Sequence, residues 1–280
     1  MVIEVLYNPN AGRDAAEMLG KLPALFAGAQ IRYTNVTETT DYSKLYALAA
    51  EDCVVVAGGD GTLNHFVNDV DVKALRCGLQ YYPIGSGNDF AHDLGYEKGC
   101  DPFDVKALLE DLPVFSANGI ERKFINGIGI GLDGYVCRKG NEQHVRTGKP
   151  VNYTLVAVIA LLFGFKPVNA AVTVDGVRKE YHRAWLAPTM KGRYFGGGMM
   201  IAPGQCRMDE GVTSVVYHDA GVLFTMYVFP SIFKGKHVRF TKQVEIRKGH
   251  EIKVELDRPC DLQVDGEIMT DVSEYTVRGV

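Results

Sequence analysis

The first 115 residues repeat one pattern: a short apolar run, a polar glycine-bearing turn, then a stretch with apolar residues at helical spacing. The apolar runs at 2–7, 31–36, 53–57 and 78–82 predict buried strands. Between them the periodicity predicts helices over 15–26, 42–50 behind the capping Asp41, 62 to about 69, a short one from Phe90, and 103–112 after Pro102. Strands alternating with helices predict a parallel, doubly wound sheet, with ligands at the C-terminal ends of its strands.

Near residue 115 the pattern changes. Residues 124–136 are strand-like with repeated glycines, and 150–165 form an isolated helix. After Pro167 come short strands over 170–174, 180–186, 212–217, 238–246 and 251–256, with one more helix at 224–233. Asp175-Gly176 between two valines is a hairpin turn. The chain therefore divides into an α/β domain over 1–119 and a β-rich domain over 120–280, with a cleft between them. The last strand either stays in the second domain or returns to the first.

Composition narrows the class. At 280 residues, with 46% apolar and 23% charged residues, the chain can bury a sizeable core without staples. A net charge of −4 argues against nucleic acid as the main partner. The cysteines at 53, 77, 100, 137, 206 and 260 form no C-x-x-C pair and read as reduced thiols of a cytoplasmic protein. The start, MVIEVLYNPNAG, lacks the basic region of a signal peptide. The longest apolar run, LVAVIALLF at 155–163, falls short of the ~20 residues that span a bilayer, so membrane contact is expected only as peripheral.

Three turns carry the candidate chemistry: NPNAG at 8–12, GGDGT at 58–62 and PIGSGND at 83–89. Strand, glycine turn and helix N-terminus together suit a phosphate, because backbone N–H groups and the helix dipole favour anions. GGDGT has no Walker lysine and instead carries Asp60, placed where a bound phosphate would bring Mg²⁺. A glycine turn with a capping aspartate is the plainer alternative. Ser86 offers a hydroxyl to phosphate and Asp89 a carboxylate to metal, or Asn88 and Asp89 simply cap the next helix. Asp209-Glu210 is either a cation-holding turn or a solvated hairpin. Asp265-Gly266-Glu267 is a hairpin tip with two carboxylates, one able to take a proton from an attacking hydroxyl.

Taken together, these motifs resemble the diacylglycerol-kinase catalytic-domain family, in particular the small soluble bacterial lipid kinases related to diacylglycerol kinase B and YegS. The resemblance runs through Asn8-Pro9-x-x-Gly12, GGDGT with Asn64, PIGSGNDFA, GIGLDGYV at 129–136, FGGGMMIAPG at 195–204, the acidic pair, Gly235-Lys236-His237 and VDGE at 264–267. It implies a phosphofructokinase/NAD-kinase-like nucleotide domain followed by an antiparallel β-sandwich-like domain. It also implies ATP held by Asn8, Pro9, Asn10, Ala11, Gly12, Thr37, Gly58, Gly59, Asp60, Gly61, Thr62, Asn64, His65 and Ser86. Asp60 and Asp89 would organise a catalytic Mg²⁺, and Glu267 would be the general base with Asp265 beside it. A structural Mg²⁺, held in some members at the acidic turn, would here involve Glu210 and backbone carbonyls near Arg207 and Val212. In the loop that the family usually writes Gly-Thr-x-Asn-Asp, Ser86-Gly87 stands in for Thr-x, and Phe115, Ser116 and Asn118 stand where many members carry an aspartate.

The implied activity is transfer of the ATP γ-phosphoryl group to the hydroxyl of a diacylglycerol-like lipid. The alternatives are a kinase for another lipid alcohol (sphingoid base, ceramide, phosphatidylglycerol or polyprenol) and a non-catalytic ATP-binding regulator. The expected partners are a lipid alcohol at a membrane surface and a second copy paired through an edge strand. The run 155–163 either packs on the β domain or dips into a headgroup layer.

Overall fold

Strands covered on both faces read as unbroken apolar runs, and this is how the first sheet is built. A computed structural model describes residues 1–280 except Arg13, Thr40, Lys149, Pro150 and Val280. It divides into two units, Met1–Leu112 and Pro113–Val280. In the first, β1 (Val2–Tyr7), β2 (Gln30–Asn35), β3 (Cys53–Gly58) and β4 (Gly78–Pro83) are parallel, and β5 (Phe103–Asp104) closes one edge antiparallel. Val54, Val55, Val56 and Ala57 of the central β3 are fully buried, whereas the edge strand β2 is polar and largely exposed. Glu4, buried in β1, is neutralised by Lys44 Nζ at 2.7 Å and accepts the Thr34 hydroxyl at 2.6 Å.

The sheet order β2-β1-β3-β4-β5 reverses its winding between β1 and β3. The crevice outside the strand ends at such a switch point is the usual ligand position in open α/β sheets. Register brings Tyr7 beside Ala57 and Gly58 beside Pro83, so the NPNAG, GGDGT and PIGSGND turns leave the same edge of the sheet.

Several helices differ from their predicted extents. The helix expected over 15–26 is two short ones, α1 (Ala15–Leu19) and α2 (Leu22–Leu25), broken at Gly20 with Pro23 in the first turn of the second. The one expected over 42–50 is only a 3₁₀ turn, Ser43–Ala47. α3 (Asp60–Asp69) starts two residues early, so Asp60, Gly61 and Thr62 are its first turn and not a preceding loop. α4 spans Asp89–Asp93, and the stretch expected as one helix over 103–112 splits into β5 and α5 (Lys106–Glu110).

The second unit is an antiparallel sheet wrapped on a large apolar core. Its strands are β6 (Val114–Ala117), β7 (Ile120–Lys123), β8 (Gly127–Ile130), β9 (Val168–Val174), β10 (Val177–Ala184), β11 (Thr189–Met190), β14 (Val212–Tyr217), β15 (Val244–Gly249), β16 (Glu251–Val264) and β17 (Glu267–Arg278). β12 (Tyr194–Phe195) and β13 (Met199–Met200) form a separate hairpin. The main order is β15-β14-β11-β8-β16-β17-β6-β7, with the β9–β10 hairpin joined to β16. Asp175 and Gly176 both have positive φ and close the predicted hairpin. The division falls at 112/113 and not at 119/120, because β6 and β7 form a hairpin whose first strand pairs with β17. The last strand thus belongs wholly to the second unit. The run 124–136 is not one strand: Gly131, at φ 107°, ends β8 and opens α6 (Leu132–Thr147). The predicted 150–165 helix begins at Tyr153 as α7 (Tyr153–Ile159), capped by Asn152, and continues as a π-turn over Ala160–Gly164. Its expected start at Pro150 lies outside the described residues. α8 spans Val222–Ile232, and the strand expected over 238–246 forms only from Val244.

The GIGLDG motif is explained by one buried carboxylate. A Cβ on Gly129 would lie 1.6 Å from Asp133 Oδ2, so only glycine leaves room for it. The Asp133 carboxyl is fully enclosed, its oxygens make no well-formed hydrogen bond, and the Gln263 amide is its polar neighbour. Burial pushes the Asp133 carboxyl up from 3.8 to about 6. An acid whose pKa is raised by folding contributes stability below its unfolded pKa and loses it as pH rises through the folded one. Asp133→Asn should therefore stabilise the chain by on the order of 2–3 kcal/mol at about pH 8, with no gain below about pH 4. Denaturant unfolding at the two pH values checks this.

Candidate active site

The site begins with two glycines in contact. Gly58, at the end of β3, accepts Ile84 N at 3.0 Å and Gly85 N at 3.1 Å. A Cβ on Gly85 would stand 2.3 Å from Gly59 Cα, so the two turns touch backbone to backbone. Around this junction lies an open cavity of about 400 Å³. Of the predicted ATP residues, Asn8, Asn10, Ala11, Gly59, Asp60, Gly61, Thr62, His65 and Ser86 line it. Gly85 and Gly87 line it as well; they lie in the PIGSGND motif but are not among the predicted ATP residues.

Polar bonds hold the junction rigid. Asp60 Oδ2 accepts Asp89 N at 2.7 Å, and Oδ1 accepts Phe90 N at 3.0 Å. One carboxylate thus sits in the first turn of α3 and caps the start of α4, where the dipole favours negative charge. This geometry is that of the plainer expectation, an aspartate that caps a helix start. Asn88 takes a left-handed conformation, φ 50°, and its Nδ2 donates to Gly85 O at 2.9 Å. The Tyr81 hydroxyl donates to Gly58 O at 3.2 Å. Burial, and then the Asp60 charge, hold that phenol well above its ordinary pKa, so it stays a donor. Asn8 Nδ2 donates to Thr62 Oγ1 at 3.3 Å, while its Oδ1 accepts Asn10 N at 2.9 Å.

Other predicted positions lie apart from the cavity lining. Pro9 and Gly12 shape the first turn, Gly58 lies behind the junction, and Asn64 is buried within α3. Thr37 is exposed after β2, bonded to Asn35. Asp89 is buried at the start of α4.

In the second unit, Asp265 and Gly266 have φ of 47° and 94° and form the tip between β16 and β17. The Asp265 carboxylate accepts three backbone N–H groups, from Ile125 at 2.7 Å, Asn126 at 2.9 Å and Gly127 at 3.0 Å. Such charge-assisted bonds are strong, and they pin the loop before β8 to the hairpin. Glu267 Oε2 accepts Arg122 Nη1 at 2.9 Å, with both side chains about a third exposed. The two residues are 145 positions apart, so no sequence pattern could have paired them.

The acidic turn already meets cations of the chain itself. Asp209 is paired with Lys248 through its carboxylate, and its carbonyl accepts Lys191 Nζ at 2.8 Å. The buried Arg207 donates to Ile125 O at 2.5 Å and to Asn126 Oδ1. Burial, and then Arg207, lower the Lys191 pKa, as expected where cations already crowd. Glu210 is exposed, and Val212 is paired in the β14–β15 ladder. Among the described residues no group of three or more His, Cys, Asp and Glu side chains could hold a metal ion. With Asp209 already met by cations, Glu210 is the acid of this turn left to face one, and nothing here tests the structural Mg²⁺ implied by resemblance.

Gly85→Ala forces a Cβ into Gly59, and the backbone of both turns must shift. The expected cost is about 1–3 kcal/mol, read as a lower urea midpoint.

Comparison with known proteins agrees with this architecture. Residues 3–113 match the family described as diacylglycerol kinase catalytic domain, and residues 126–277 match the YegS C-terminal NAD kinase beta sandwich-like domain. The chain is 28% identical to YtlR of Bacillus subtilis over 232 residues, covering 77% of this chain and 74% of that one. It is 26% identical over 268 residues to a protein named diacylglycerol kinase from Mycobacterium tuberculosis, covering 90% and 84%. A crystal structure of a diacylglycerol kinase from Bacillus anthracis shares the fold, with TM-score 0.62 at 21% identity over 99% of this chain and 93% of that one. Among the described residues no helix is long and apolar enough to cross a membrane. The chain belongs to the diacylglycerol kinase catalytic-domain family of lipid kinases, in its form with a YegS-type C-terminal β-sandwich domain.

Proposed function

We propose that the protein transfers the γ-phosphoryl group of ATP to the hydroxyl of a diacylglycerol-like lipid. The observation that carries this reading is the glycine-walled cavity at the sheet's switch point, opening on the N-terminus of α3. Backbone N–H groups there suit the phosphates, and the Thr62 and Ser86 hydroxyls add donors. Names of relatives point the same way, since proteins called diacylglycerol kinase are similar over most of the chain.

Asp60 and Ser86 line the cavity and would be the oxygen donors nearest a hard cation bound with the phosphates, while Asp89 is buried outside the lining. Mg²⁺ bound there would supply neutralisation of phosphate charge. Asp60 fixes α4 relative to α3, so those donors keep their places without reorganising. Glu267 accepts the proton as the lipid hydroxyl oxygen bonds to the γ-phosphorus and the bond to ADP breaks. Arg122 orients the Glu267 carboxylate, and Asp265 holds the hairpin that presents it.

Labelled ATP with a panel of lipid alcohols in mixed micelles tests the reading, with diacylglycerol expected as the best acceptor. Asp60→Asn should lower turnover by about 10²–10³-fold. Asp60→Ala should in addition lose the cap on α4, at about 1–2 kcal/mol of stability. Glu267→Gln should lower kcat by about 10²–10⁴-fold while the KM for ATP stays the same. Tight ATP binding with no lipid phosphorylated would instead identify a non-catalytic regulator, and wild-type turnover in Asp60→Asn would remove that residue from the site.

A further inference from the structure

The turn that presents Glu267 is held at both backbone groups of one residue. Gly266 N donates to Gln263 Oε1 at 3.1 Å, and Gly266 O accepts the Cys137 thiol at 3.2 Å. Neither group can join the strand ladder, whose last pair is Val264 with Glu267. Side chains therefore supply the partners that the turn itself lacks. The Gly266 carbonyl shares one peptide plane with Glu267 N and Cα, so fixing it fixes the backbone from which the Glu267 side chain leaves.

A second layer stands behind these contacts. Gln263 is 5% exposed and lies on β16 opposite Gly129. A backbone N–H only donates, so Gln263 must turn its Oε1 to Gly266, and its Nε2 is left facing inward. There it meets Asp133: Gln263 Nε2 and Asp133 Oδ2 border the same space beside Gly129. Asp133 lies in the first turn of α6, and Cys137 follows one turn later on the same side. α6 comes this close because Gly134 has no Cβ, which would lie 2.0 Å from Asp261 O. Arg138 Nε then donates to Asp261 Oδ2 at 2.8 Å and fastens the contact. Burial, and then the Asp133 charge, push the Cys137 thiol up to about 12, so it stays an S–H donor. Burying the Asp133 carboxyl opposes folding, and carboxyls kept in such surroundings gather at functional sites.

We propose that Gln263 is a positioning residue for the Glu267 base, supported by Asp133 and Cys137 of α6. Asp133 sets which way the Gln263 amide turns, Gln263 and Cys137 hold Gly266, and Gly266 aims the Glu267 carboxylate. None of the three touches the reacting atoms. Their effect is on where the base stands, and a small misplacement of a catalytic group is costly in rate. This role rests on the lipid-kinase reading for its reaction, and on the contacts around Gly266 for its geometry.

Steady-state kinetics of the full chain with ATP and diacylglycerol in mixed micelles, together with hydrogen exchange at Gly266, test this. Gln263→Met keeps the side-chain length but cannot accept from Gly266. It should lower kcat about 10- to 100-fold while the KM for ATP stays the same. It should also speed exchange of the Gly266 N–H about fivefold. Added to Glu267→Gln, the same change should cost less than about twofold more, because no base is left to aim. Asp133→Leu should resemble Gln263→Met, whereas Asp133→Asn keeps an acceptor for the Gln263 amide and should restore most of the lost kcat. Melting curves check that each variant is folded; if Asp133→Leu is not, Gln263→Met alone and on Glu267→Gln decides. Wild-type kcat in folded Gln263→Met overturns the role, and so does a loss that multiplies in full with that of Glu267→Gln. Wild-type turnover in Glu267→Gln would instead refute the base itself. A chain that phosphorylates no lipid alcohol overturns the kinase reading and, with it, the role of Gln263, even where exchange shows that Gly266 is held.

Discussion

One carboxylate organises the candidate site of the first unit. Asp60 begins α3 and accepts the first two N–H groups of α4, so two helices leave a common point. This works only because Gly59 and Gly85 let the two turns meet without side chains between them. Cap and glycine contact work together: the glycines let the turns meet, and the carboxylate accepts two of the opening donors of α4.

The second unit uses the same chemistry for a different task. Asp265 spends its negative charge on three backbone N–H groups of 125–127, and Arg207 satisfies the acceptors of the same loop. The hairpin tip is thereby held while Glu267, one turn residue away, keeps an exposed carboxylate oriented by Arg122. In the proposed phosphoryl transfer, whose chemistry is mostly positioning, that carboxylate is the proposed base. Asp133 is the contrasting case, a fully buried carboxylate whose desolvation outweighs its polar neighbours, so that folding favours the protonated form.

Much of this was legible in the chain. The buried strands of the first sheet announced themselves because strands covered on both faces must be apolar throughout. The turns GGDGT and PIGSGND were legible because only glycine tolerates such close approach. Helix extents were read less well. Pro23 and Gly20 break 15–26, the 42–50 stretch closes only a 3₁₀ turn, and 124–136 hides a strand-to-helix switch at Gly131. In each, local apolar spacing was compatible with either state, and packing in the folded unit decided.

The sequence by itself determined the α/β-then-β order, the three turns at one sheet edge and the identity of the carboxylates, because periodicity and glycine placement are local properties. Tertiary structure alone decided what those carboxylates do. The pairing of Glu267 with Arg122, the three donors on Asp265, the cations that neutralise Asp209 and the Cys137 thiol on Gly266 all join residues far apart in the chain. Such contacts depend on distance in space and on burial, and neither is written in residue spacing.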